Sequence, residues 1–180
     1  ARQLAKARGW HIAHDDGHYR RVVSSPAPMR ILELGVIELL VDQGVIVICT
    51  GGGGIPTVRK ADGSLVGVEA VIDKDLASSL LARELGADVL LMLTDVDAVS
   101  TGWGGPAARA IRRISPEMIR RYPFAAGSMG PKVEAACAFV EQTGGIAGIG
   151  GLADAQAILA GRAGTLVVPD ASEISWWDHG

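Results

Sequence analysis

Two lysines in this chain stand where a phosphoryl group would need positive charge. Lys74 lies in Val71-Ile72-Asp73-Lys74-Asp75-Leu76, where a strand-like stretch turns into a helix. Lys132 lies in Gly127-Ser128-Met129-Gly130-Pro131-Lys132, just inside a second helix start. A cation in a first turn works against the helix dipole, so two such lysines call for a reason beyond local stability. Asp75, beside Lys74, has the charge to organise them. Upstream, Gly51-Gly52-Gly53-Gly54 follows an apolar run, and glycine loops of this kind present backbone N–H groups to anions. Positioning and charge neutralisation are what phosphoryl transfer mainly asks of a protein. Each pattern also has a simpler account: Asp73-Lys74-Asp75 as a solvated charge run, and the glycines as a flexible turn. The glycines match neither the GxGxxG nor the GxxxxGK[ST] pattern.

Other clusters carry weaker chemical signals. Leu91-Met92-Leu93-Thr94-Asp95-Val96-Asp97 is a strand ending in a hydroxyl and carboxylates, equally readable as an Asx-type turn. His11, His14 and His18 have a spacing that would align them on a helix, but Asp15-Asp16-Gly17 reads as a turn. We read that stretch as a solvated loop and assign no metal-ligating residue. No nucleophile triad is evident in the linear sequence.

These residues need a scaffold, and the composition supplies one. The 180 residues fit one domain with a substantial core. Apolar residues make up 48% but aromatics only 4%, so the core must be aliphatic, as in proteins with buried parallel strands. A net charge of −3 offers no electrostatic reason to expect nucleic acid. No apolar stretch reaches the roughly 18 residues needed to span a bilayer, and the basic opening lacks the apolar core of a signal peptide. Cys49 and Cys137 both lie in apolar runs and read as reduced core thiols, which suits the cytoplasm.

Helical spacing covers 1–8, 29–43, 75–85, 131–142 and 152–159, with a short helix begun by Ser115-Pro116. Strand-like runs cover 19–23, 45–49, 88–93, 144–149 and 165–168, and Asp62-Gly63 centres a hairpin over 58–68. Residues 10–18 read as a polar loop. The alternation predicts an α/β fold: a mostly parallel sheet between helix layers. The divisions are 1–28 as the end of a preceding lobe, 29–170 as a nucleotide-binding domain, and 171–180 as a tail.

Taken in order, Tyr19-Arg20-Arg21-Val22-Val23 with Ser25-Pro26, then Gly51 to Pro56, Glu69 to Ser78, Thr94 to Val99, Gly127 to Val133 and Gly164-Thr165 resemble the carbamate kinases, a branch of the amino acid kinase family. The resemblance runs from about Ala1 to Val168. It implies a three-layer α/β/α fold and reversible transfer of phosphate from carbamoyl phosphate to ADP, giving ATP and carbamate. It further implies Mg2+ with ATP or ADP, small-molecule partners only, and a cytoplasmic homodimer. By resemblance, Lys74 contacts the migrating phosphoryl group, Asp75 orients the lysines and Lys132 neutralises nucleotide phosphates. Gly51, Gly52, Gly53 and Gly54 approach the phosphoryl acceptor, while Thr94, Asp95, Val96, Val99 and Met129 lie along the nucleotide. Family members also carry an N-terminal half with another glycine loop and a further lysine, which these residues lack. The chain is therefore expected to be part of a longer polypeptide, or a nucleotide-binding remnant without catalysis. A relative acting on another acid, such as acetylglutamate, is the remaining alternative.

Overall fold

The computed structural model describes residues 1–15, 17–125 and 127–178. Helix α1 (Arg2–Arg8) stops at Gly9, whose left-handed backbone lets its N–H reach the Ala5 carbonyl. Strands β1 (Ile12–Asp15) and β2 (His18–Arg21) follow as an antiparallel hairpin. Residues 10–18, expected as a polar loop, thus include a strand. Its alternation is hidden because the exposed ribbon buries neither face. His14 packs edge-to-face on Tyr19, ring centroids 5.4 Å apart.

Helix α2 (Leu34–Asp42) comes next. Residues 45–49, expected as a buried strand, have no regular structure. Ile46 and Ile48 are 93% and 98% exposed. The run has strand composition but no neighbouring strand to pair with. Cys49 is consequently half-buried instead of lying in the core. Strands β3 (Thr57–Arg59) and β4 (Leu65–Gly67) form the expected hairpin. At its turn Asp62 accepts hydrogen bonds from the Ser64 N–H and hydroxyl.

The remaining elements build one layered unit. They are α3 (Lys74–Glu84), β5 (Val89–Thr94), β6 (Ser100–Thr101), β7 (Arg109–Ile114), α4 (Pro116–Ile119), α5 (Met129–Thr143), β8 (Ile146–Gly151), α6 (Ala155–Leu159), β9 (Thr165–Val167) and β10 (Ser175–Trp176). The sheet order is β10-β7-β9-β8-β5, with β6 attached to β7. Pairs β5–β8 and β7–β9 are parallel; β8–β9, β7–β10 and β6–β7 are antiparallel. The α/β class is as expected, but the sheet is mixed, because β9 returns beside β8 in the opposite direction. Residues 175–176 join this sheet through β7.

The two faces of β8 explain the layering. Ala147 and Ile149 are fully buried in a cluster with Val133, Ala136, Cys137, Phe139 and Val140 of α5. On the other face Gly148 and Gly150 make room for Ile158 of α6. A side chain at either glycine would place its first carbon within 2.8 Å of Ile158. Helices α3 and α5 pack together, and the buried Ser79 hydroxyl donates to the Ala135 carbonyl at 2.8 Å. That bond fixes how the two helix starts sit relative to each other.

Candidate active site

Helix α3 begins where its sequence says it should. Asp73 caps it: one carboxylate oxygen accepts from the Asp75 N–H at 2.9 Å and the Leu76 N–H at 3.0 Å. Asp73 is thereby committed to the backbone. Lys74, the first helical residue, is exposed, and its ammonium makes no hydrogen bond or ion pair among the described residues.

Asp75 is nearly buried, at 8% exposure. Its two oxygens receive the Lys132 ammonium at 3.1 and 2.8 Å. Helix α5 starts at Met129, so Lys132 is its fourth residue, two positions further in than a start at Pro131 would make it. Pro131 still sits in the first turn, where its missing N–H is no loss. The Asp75–Lys132 pair resolves the electrostatic puzzle. A lysine near a positive helix end is tolerable because a carboxylate from the neighbouring helix meets it.

These residues line one cavity of about 480 Å³. Lys74, Asp75 and Lys132 are there, with Thr94, Asp95 and Val96 from the end of β5 and Met129 from α5. Thr94 donates its hydroxyl to Asp95 at 3.0 Å. The starts of α3 and α5 both border the space, and helix N-termini favour anions. Val99 and the glycine loop stand apart. Val99 is fully buried; its N–H donates to the Thr165 hydroxyl at 2.9 Å and its carbonyl accepts from Ile111 at 2.8 Å. It holds the loop that carries Asp95 and Val96 without reaching the cavity.

Residues Gly51, Gly52, Gly53 and Gly54 do not line the cavity. Gly53 instead lies against the approach to α3. A side chain there would put its first carbon 2.0 Å from the Ile72 carbonyl oxygen. Thr50, just before the loop, has φ 60°, a left-handed backbone unusual outside glycine.

Sequence reasoning missed the apolar lining: Ala98, Trp103, Pro123 and Phe124, with Ser100 and Ser128 among the polar groups. With so few aromatics in the chain, Trp103 between glycines was the available signal. Cys137, further along α5 than Lys132, is fully buried, and that burial pushes its thiol up to about 12.

Residues 3–149 match the amino acid kinase family. The chain belongs to the amino acid kinase family. Within the family it is 51% identical to carbamate kinase of Rhizobium meliloti over 98% of this chain and 55% of that protein. It is likewise 51% identical to carbamate kinase of Haemophilus influenzae, over 98% of this chain and 57% of the relative. Carbamate kinase of Giardia lamblia bound to AMP-PNP superposes with a TM-score of 0.85. That match is 43% identical and covers 94% of this chain and 55% of the other. The chain thus spans about half the length of the relatives it matches.

Proposed function

We propose that this chain carries the nucleotide side of a carbamate kinase site, transferring phosphate reversibly between carbamoyl phosphate and ADP. The observation that carries the reading is the unequal treatment of the two lysines. Lys132 is locked on Asp75, while Lys74 lines the same cavity with no hydrogen bond or ion pair on its ammonium among the described residues. In this assignment Lys132 is a fixed charge against the nucleotide phosphates, and Lys74 follows the group in flight. An oxygen of the ADP β-phosphate attacks phosphorus as its bond to the carbamate oxygen breaks. Nucleophile and leaving group are both anions, so no general base is required. Thr94, Asp95, Val96 and Met129 line the nucleotide, and Gly51–Gly54 serve the carbamate side, where the acceptor lies in the reverse direction.

Relatives named carbamate kinase at about half identity support this assignment. So does the AMP-PNP complex of the Giardia protein. Mg2+ fits as a passenger of the nucleotide. Asp75 spends both oxygens on Lys132, while Asp73 and Asp95 also line the cavity and each uses one oxygen in the hydrogen bonds described, and Mg2+ commonly binds through phosphates and one or two carboxylates. Its contribution would be to neutralise charge on the phosphoryl oxygens. We assign the protein to the cytoplasm as a homodimer without nucleic-acid or membrane partners. No described helix is long and apolar enough to cross a membrane.

A second reading has its own support. The carbamate-side glycines lie outside the cavity, so in this reading the chain is a nucleotide-binding remnant that binds nucleotide and catalyses nothing. The deciding experiment measures ATP formed from ADP, Mg2+ and carbamoyl phosphate, alongside calorimetric ADP binding. Lys74→Ala should cut turnover roughly a hundredfold or more with folding intact; near-normal turnover would remove Lys74 from its role. ADP binding without ATP formation selects the second reading, and no ADP binding refutes both.

A further inference from the structure

We propose that Trp103 is the stacking surface for the nucleotide base, an assignment that rests on the nucleotide-binding reading of this cavity. The argument begins with the other tryptophans. Trp10 is covered by Arg8 and Arg21, with guanidinium carbons 4.9 and 4.4 Å from the ring. Trp176 lies under Arg109 at 4.2 Å and meets Tyr122 edge-on. Trp177 lies under Arg112 at 4.9 Å and donates its indole N–H to the Gly164 carbonyl. Trp103 alone has neither a cation nor a ring against it among the described residues. It is 73% exposed, and it lines the site cavity.

The loop that carries it is built to hold a position. Strands β6 and β7 pair through Ser100 with Ala110 and Thr101 with Arg109, which anchors both ends. Gly102 and Gly104 flank Trp103 with φ of 61° and 78°. At Gly102 a side chain would crowd the Ala107 carbonyl at 3.3 Å. Backbone bonds from Gly105 to Gly102 and from Ala108 to Gly105 close the turn. Nothing in this hairpin needs a large aromatic at its tip, and leaving an indole in water forgoes its burial energy.

The cavity's lining divides by chemistry. Lys74 and Lys132 suit phosphates, whereas Trp103, Phe124 and Met129 suit a flat, weakly polar ring. A ligand with both parts is a nucleotide. Stacking on an indole does not discriminate among bases, since every base has a π-face. Trp103 therefore supplies affinity and leaves base choice to other groups.

The test compares Trp103→Ala, Trp103→Leu and Trp103→Phe with the parent, using ADP, GDP and inorganic tripolyphosphate as probes in calorimetry. Alanine and leucine should weaken ADP and GDP alike, by roughly five- to a hundredfold. Phenylalanine should retain most of the affinity. Tripolyphosphate, having no base, should bind every variant as it binds the parent. Tryptophan emission should change on adding ADP to the parent and change far less in Trp103→Phe. Unchanged ADP affinity in Trp103→Ala would overturn the assignment while leaving the nucleotide site standing. So would an equal loss for tripolyphosphate, which would mean a collapsed loop. A parent that binds tripolyphosphate but not ADP would overturn both the assignment and the reading beneath it.

Discussion

Two apolar runs of similar composition meet opposite fates in this molecule. Val89-Leu90-Leu91-Met92-Leu93 is the body of β5; it pairs in parallel with β8 along its whole length, and Leu90 and Met92 are 7% and 5% exposed. Val45-Ile46-Val47-Ile48-Cys49 pairs with nothing among the described residues, and Ile46 and Ile48 lie almost wholly in solvent. Composition sets the demand for burial; the presence of a neighbouring strand decides whether it is met. Residues 74–168 form a closed layer of sheet and helix, and residues 29–72 stay open. The catalytic candidates sit on the closed side, where α3 and α5 start. The glycine loop sits on the open side, with Gly53 set against the Ile72 carbonyl.

The largest expected effect tests the closed side at its most charged point. Asp75→Ala leaves the largely shielded Lys132 ammonium, its side chain 12% exposed, without a partner, and breaking a buried pair costs about 3–5 kcal/mol. Urea unfolding should show that loss, and ADP binding should fall with it. A variant as stable as the parent would show that the pair is solvated, and that the site belongs with the open region.

Next, one side chain from each region makes the contrast direct. Phe139 is fully buried in the core of α5, and Phe139→Ala should cost about 3–5 kcal/mol. Ile48→Ala should stay within about 0.5 kcal/mol, as for other exposed positions. A large loss at Ile48 would mean that this run is covered in solution, by a second copy or another chain. The two cysteines give a milder version of the same test. Iodoacetamide should modify half-buried Cys49 in the native protein. Cys137, fully buried with its thiol pushed up to about 12, should react only on unfolding. Equal labelling rates would erase the distinction between the regions.

Much of the closed region is legible in its sequence. Helix α3 announced itself through Asp73 as cap, and α4 through Ser115 and Pro116. Strands β5, β8 and β9 announced themselves through continuous apolar runs. Strand β7 did not. In Arg109-Ala110-Ile111-Arg112-Arg113-Ile114 the buried isoleucines are three apart, a spacing that breaks strict alternation. Strand β10 is two residues long and exists only because β7 is there to pair with. The false strand at 45–49 has the same cause in reverse, since pairing is non-local and no single segment encodes it. At the site, charge at helix starts pointed to Lys74, Asp75 and Lys132. The apolar lining has no local signature, because Trp103 and Phe124 come to the same cavity only through the fold. Val99 was misplaced for a related reason: its neighbours in sequence face the cavity, but its own backbone turns inward to Thr165.

The smallest expected effect asks whether surface charge helps to hold the closed region together. Arg120 reaches Glu141 and Glu134 on α5, and its guanidinium holds the Glu141 carboxyl below the usual carboxylate value of 4.5. A depressed acid contributes stability above its unfolded-state value and loses it as pH falls through the folded one. The Glu141 side chain is 45% exposed, so solvent screens the pair. Glu141→Gln should therefore cost less than about 1 kcal/mol at pH 7. The gap to the parent should close as pH drops below the ordinary carboxylate range, read from urea unfolding at pH 7 and pH 3. A gap that widens in acid would reverse the sign of the coupling. A gap of several kcal/mol at pH 7 would shift the account of the closed region from packing toward its charge network. A small, acid-labile gap would leave Phe139 and the aliphatic cluster around it as what separates the closed region from the open one.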